Sequence, residues 1–127
     1  MEREERLRRR RDFREVMSQG RAASNRAAIL FTLPGRRGRR VGIAVPRKLG
    51  GAVVRNRARR LIREAYRRWR PRLGVDLDLV FLARPGLVGL EFGEVVREVG
   101  DLLRRTGAMG RGGEALRPGG EGREGGW

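Results

Sequence analysis

The apolar residues of this chain recur with two different periods, and each change of period marks an element. Phe13, Val16 and Met17 fall at helical spacing. Asp12 ahead of them predicts a cap, Glu15 three residues on predicts a capping box, and Gly20 closes the helix. Ala27 to Leu33 and Arg40 to Val45 read as strands joined by the basic turn Pro34-Gly35-Arg36-Arg37-Gly38, and Arg21 to Arg26 offers a further short strand. Gly50 and Gly51 then break the chain before a helix from about Ala52 to Arg70, which Pro71 ends. On that helix Ala58, Leu61, Ile62, Ala65, Tyr66 and Trp69 form one stripe at ~100° per residue, so Tyr66 and Trp69 are expected to pack.

Val75 to Ala83 alternates instead. Val75, Leu77, Leu79, Phe81 and Ala83 point one way, and Asp76, Asp78, Val80 and Leu82 the other, which predicts a strand in a half-covered sheet with its acids facing solvent. Glu91 to Arg105 reads as a third helix, with Phe92, Val95, Val96, Val99, Leu102 and Leu103 at core spacing and Arg104 and Arg105 at the end that favours cations. The order is helix, two or three strands, helix, strand, helix. It predicts an α+β fold, a two-layer sandwich in which a small mixed sheet packs with helices.

The 127 residues suit a single domain, expected over residues 1–106. From Gly107 onward, 9 of 21 residues are Gly, so 107–127 is expected to be a disordered tail. No role is assigned to its Arg111-Gly112-Gly113 run or to Trp127.

Charge changes the picture more than any other property. Lys and Arg number 31 against 15 Asp and Glu, a net +16. The excess is not spread evenly: residues 1–73 hold 24 bases and 6 acids, and the rest 7 bases and 9 acids. From Arg47 to Arg72 eleven cations face the single acid Glu64, expected to pair with Arg60 or Arg68. A helix that is merely solvated would interleave acids at i and i+4. The imbalance points to a polyanion, nucleic acid before a membrane surface, because a membrane helix needs an exposed apolar face and this stripe is expected to be buried.

There is no Cys and no His. Thiolate and imidazole catalysis, and zinc sites built from these residues, are therefore excluded, and a disulfide-free basic chain without an apolar run fits the cytoplasm. Asp76 and Asp78 alone offer too few carboxylates for a two-metal nuclease site.

The run Arg47-Lys48-Leu49-Gly50-Gly51-Ala52-Val53-Val54-Arg55-Asn56-Arg57-Ala58-Arg59-Arg60-Leu61-Ile62-Arg63-Glu64 closely resembles the signature of the bacterial ribonuclease P protein component. Leu7 to Phe13 with Gly20 resembles that family's first helix, and Val41-Gly42-Ile43-Ala44-Val45 its strand before the signature. By element order the resemblance runs from about Arg6 to Arg105. It implies a ribosomal-protein-S5-domain-2-like fold with a left-handed β-α-β crossover, an exception to the usual right-handed rule. It also implies a subunit of the enzyme that removes the 5′ leader from precursor tRNA. The partners are then the catalytic RNA, which binds the Mg²⁺, and precursor tRNA, with no cofactor in the protein, no small-molecule substrate and no membrane.

Carried over by position, the resemblance makes Arg9, Arg11, Arg47, Lys48, Arg55, Asn56, Arg57, Arg59, Arg60, Arg63 and Arg67 RNA-binding residues, with no catalytic residue in the protein. It places Phe13, Met17 and Phe31 in a cleft for the leader. Met17 and Ala28 stand where relatives often carry aromatics. The runner-up is a basic RNA-binding protein of ribosomal type, although no run matches the aromatic-interleaved signature of an RRM sheet.

Overall fold

The computed structural model describes residues 5–34, 38–74 and 76–109. Its elements follow the expected order: β1 (Glu5–Arg6), α1 (Arg10–Gln19), β2 (Arg21–Ser24), β3 (Ala28–Pro34), β4 (Arg40–Ala44), α2 (Ala52–Trp69), β5 (Leu77–Ala83) and α3 (Phe92–Arg105). The optional short strand forms, and a two-residue strand precedes α1. The basic turn at 35–37 and the chain from 110 onward lie outside the described residues.

The strands form one mixed sheet in the order β1-β4-β5-β3-β2. Although consecutive, β3 and β4 do not pair. Instead β5 inserts between them, antiparallel to β3 and parallel to β4, and α2 makes the crossover from β4 to β5. On one face Leu30, Phe81 and Leu79 pack against Ala58, Ile62, Ala65 and Tyr66 of α2 and Val95, Val99, Leu102 and Leu103 of α3. Tyr66 meets Phe81 edge to face at 6.1 Å. This sheet and helix pair form the two-layer sandwich.

The other face of β5 is not open, which corrects the half-covered reading. Val80 is buried with Leu7 and Val16, so α1 covers this side of the strand. Asp78 is correspondingly not a solvent-facing acid, since only 1% of its side chain is exposed. Arg40 on the neighbouring strand grips it bidentately, Nε donating to Oδ1 at 2.9 Å and Nη2 to Oδ2 at 2.7 Å. Its Nη1 also reaches Asp12 of α1 at 3.4 Å. Asp12 is thus used differently from expectation. The helix begins three residues earlier, with Arg9 at the cap and no side-chain cap bond, and Asp12 in the first turn ties α1 to the sheet. Gly20 ends α1 as expected, for a packing reason: a Cβ there would overlap the carbonyl of Thr32 on β3.

The second helical layer is locked by polar and aromatic contacts. The indole N–H of Trp69 donates to the Val96 carbonyl at 2.9 Å, and a Cβ at Gly100 would overlap the same ring, so α2 and α3 approach closely at this point. The capping box the sequence suggested for α1 occurs on α3 instead, between Glu91 and Glu94. Pro71 falls within a 3-10 turn, Arg70–Arg72, that ends α2. The packed region also runs past 106: Ala108 and Met109, assigned to the tail from sequence, are buried in the main core, and Met109 bridges to Leu73.

Gly100→Ala should destabilise the fold by about 1 to 3 kcal/mol through overpacking against Trp69. Asp78→Ala should cost about 3 kcal/mol, because it removes the bidentate carboxylate partner of a mostly buried Arg40. Both are read as lower urea midpoints at unchanged m value.

Candidate nucleic-acid interface

Packing fixes where the arginines of α2 can point. Ala58, Ile62, Ala65 and Tyr66 are held against the sheet, so residues about 100° or more away must face outward. The cations then divide into ranks rather than forming one face. Arg59 and Arg63 lean toward the sheet edge at β4, where with Arg67 and Arg70 they line a groove of about 360 Å³. Asn56 and Arg60 are exposed on the outermost rank. Arg57 and Arg68 lie on the opposite flank, where Arg57 lines a small apolar hollow with Val53, Leu61, Leu87 and Val88, and Arg68 stacks over Phe92 at 5.3 Å.

Among the described residues, few acids lie on the α2 surface. Glu64 pairs with Arg67 at 3.1 Å, three residues on, rather than with the expected Arg60 or Arg68. Both partners are about half exposed, so the pair contributes little to stability. The Asn56 side-chain oxygen accepts from Arg59 Nη1 at 3.4 Å. Arg55 is half-buried beside the Gly50–Gly51 turn and its Nε is fully buried with no hydrogen-bond partner. Arg47 and Lys48 are exposed on the 3-10 turn Arg47–Leu49, which enters α2, and Arg9 and Arg11 are exposed at the start of α1.

The three residues expected in a leader cleft share the sheet face under α1. Phe31 is paired across the sheet with Val80, and Val80 with Gly42 of β4, so all three point to this side. Phe13 lies against Gly42, where a Cβ would come within 2.6 Å of its ring. Phe13, Met17 and Phe31 are each partly buried around Leu7, Val16 and Val80. The structure does not place Ala28 with them. Ala28 pairs with Ala83 on the opposite face and is fully buried in the main core, so its small size fits packing against α3 and has no bearing on this cleft.

Two sets of residues escaped the sequence reading. Ile29, Leu82 and Ala44 continue the Phe31 face, are partly exposed and belong to neither core cluster. The strand alternation carried a signal for them, but not which face α1 would leave open. Arg6, at the chain's start, joins the α2 arginines in the sheet-edge groove only because β1 pairs with β4, a contact without a local signature. Phe13 also lines that groove, whereas Met17 and Phe31 do not.

For metal chemistry the described residues offer little. No three Asp or Glu side chains come together among them, the Asp78 carboxylate is taken by Arg40, and Asp76 accepts the Gly38 N–H at 2.9 Å. No described helix is long and apolar enough to cross a membrane.

Known proteins share this fold. A family model described as Ribonuclease P matches residues 1–107. The "Ribonuclease P protein component" of Dictyoglomus thermophilum is 43% identical over 95 residues, 72% of this chain and 79% of the relative. That of Symbiobacterium thermophilum is 45% identical over 92 residues, 71% of this chain and 80% of the relative. Among solved structures, the RNase P protein from Thermotoga maritima is 33% identical with a TM-score of 0.71, covering 80% of this chain and 96% of its own. The Staphylococcus aureus RNase P protein, 24% identical, shares the fold with a TM-score of 0.75 over 83% of this chain and 97% of its own. The chain is a member of the ribonuclease P protein family.

Proposed function

We propose that this ribonuclease P protein binds the catalytic RNA of the enzyme through the outward-facing arginines of α2, and the 5′ leader of precursor tRNA through the cleft of Phe13, Met17 and Phe31. The observation that carries the reading is the run of cations on α2 and the turn before it, held outward by a buried stripe and opposed by one acid. Arg47, Lys48, Arg55, Asn56, Arg57, Arg59, Arg60, Arg63 and Arg67, with Arg9 and Arg11 on α1, neutralise phosphates, and the planar guanidinium forks fix orientation as well as charge. Partly exposed aromatic faces at Phe13 and Phe31 stack on leader bases, each worth about 1 to 3 kcal/mol.

In this reading the protein performs no bond chemistry. It lacks His and Cys, and the carboxylates of β5 and the turn before it are already engaged within the fold. The Mg²⁺ that activates water for phosphodiester hydrolysis is held by the RNA. The protein contributes by bringing leader and catalytic RNA together, which raises the local concentration of correctly placed substrate, in the cytoplasm where tRNA is processed.

Adding the chain to a bacterial ribonuclease P RNA at low Mg²⁺ should raise the rate of precursor-tRNA cleavage. Absence of stimulation at every protein ratio would favour a basic RNA-binding protein of ribosomal type, and cleavage by the protein alone a nuclease. Arg57→Ala with Arg60→Ala should weaken binding to the RNA subunit and flatten its salt dependence by up to about 0.9 log units per lost duplex-phosphate contact. An unchanged slope removes those residues from the interface. Phe13→Ala should reduce the preference for precursor over mature tRNA while sparing RNA-subunit binding, and a parallel loss of both would make Phe13 a packing residue only.

A further inference from the structure

Among the described residues two large hydrophobic side chains stand exposed, Val53 at 82% and Val88 at 50%. They are not scattered. Both line one hollow of about 120 Å³ between the N-terminal half of α2 and the 3-10 turn Pro85–Leu87 that follows β5. Leu61 and the fully buried Leu87 continue its apolar lining, and Arg57, one turn beyond Val53, brings its one charged side chain. A single exposed apolar residue needs no explanation, but two that adjoin across a hollow leave apolar surface for a partner to cover.

The position of the hollow decides what that partner is. Asn56 and Arg60 stand exposed on the same stretch of α2 as Val53 and Arg57, so the apolar surface borders one suited to a polyanion. An RNA seated there reaches the hollow with its charged backbone or with its bases. A phosphate gains nothing from valine and leucine and loses its hydration against them. Paired bases are stacked inside a duplex, whereas an unpaired base offers a flat apolar face. The volume agrees: about 120 Å³ is well below the roughly 300 to 1,000 Å³ of pockets for whole small ligands, so a ring enters and its sugar and phosphate stay outside. Arg57 is the one polar side chain in the lining, so the ring is held by its faces rather than by hydrogen bonds to its edge.

We propose that this hollow takes one unstacked nucleobase of the catalytic RNA, its ring resting on Val53 and Val88 and covered by the Arg57 guanidinium, whose N–H groups hold the adjoining phosphate. The proposal rests on the functional reading above. It adds to that reading a contact made by apolar surface, which fixes the register of the RNA on α2 where charge alone does not.

Val53→Asn with Val88→Asn removes the apolar walls without touching a charge, and coincident thermal melts check that the fold is kept. Titrated with a bacterial ribonuclease P RNA across a salt series, the full-length variant should bind about five- to tenfold more weakly, as expected for the loss of on the order of 50 Å² of apolar contact. The slope of log affinity against log salt should stay as it is, because no phosphate contact is lost. The chain has no Cys, so Val88→Cys carries a single benzophenone label. Irradiated in the complex, the label should join to one unpaired nucleotide, located by reverse transcription. Removing the base of that nucleotide should weaken binding of the wild type by the same factor, and binding of the doubly substituted chain by nothing further.

Unchanged affinity, a loss that flattens the salt slope, or a label that joins to duplex positions or to no nucleotide overturns the hollow as a base site. Joining to a second copy of the chain overturns it too, and makes the hollow a protein contact. If the wild-type chain neither binds the RNA nor stimulates cleavage, the functional reading fails and the hollow with it. If the wild type does both and the variant matches it, the hollow alone fails.

Discussion

The backbone of β5 bonds to β4 on one side and β3 on the other, and its side chains are buried toward both faces, so neither helical layer can be removed without exposing the centre of the sheet. This central position determines the rest. Because β4 runs parallel to β5, the chain between them must cross over, and α2 is that crossover, with its apolar stripe clamped to the sheet through Tyr66 and Phe81. The arginines therefore project from a rigid rod rather than a loop. On the opposite face, the Asp12–Arg40–Asp78 ion triad joins α1 to the two central strands and sets Phe13 over Gly42.

The charge distribution complements this architecture. A chain with a net charge of +16 repels itself, and the repulsion opposes compaction. The carboxylates that are present are concentrated where they tie elements together: Asp78 and Asp12 on Arg40, Glu94 and Glu98 on Arg26, Asp101 on Arg105 and Asn25. Of the acids within α2 itself, there is only Glu64. Acid–base compensation thus holds the scaffold, and under the proposed function the remaining charge serves an RNA partner, with counterion release making association favourable and strongly salt dependent. Under the proposed function, the same division explains how a protein without imidazole or thiolate serves the enzyme, by placement and charge.

Much of this was legible in the sequence where the information is local. The Ala58-Ile62-Ala65-Tyr66 stripe, the alternation through Leu79 and Phe81, and the Gly50–Gly51 break each depend on neighbours within a few residues, and each appears at its expected place. What escaped depends on register between distant segments. Asp78 looked like a surface acid because nothing near it in sequence announces Arg40, 38 positions earlier and in register with it on the adjacent strand. Ala28 looked like a shortened cleft residue because one position along a strand exchanges one face for the other, and its neighbour Ile29 is the residue on that side. Arg6 and its groove were hidden for the same reason.

The account stands most directly on the claim that α2 is the RNA-facing surface. Arginine-specific chemical modification, read residue by residue by mass spectrometry on the free protein and on the protein saturated with ribonuclease P RNA, measures this without any substitution. The predicted result is strong protection of Arg57, Arg60 and Arg63, while Arg97, exposed on α3, stays as reactive as in the free protein. Protection of Arg97 with α2 left reactive, or no protection at all, would contradict it.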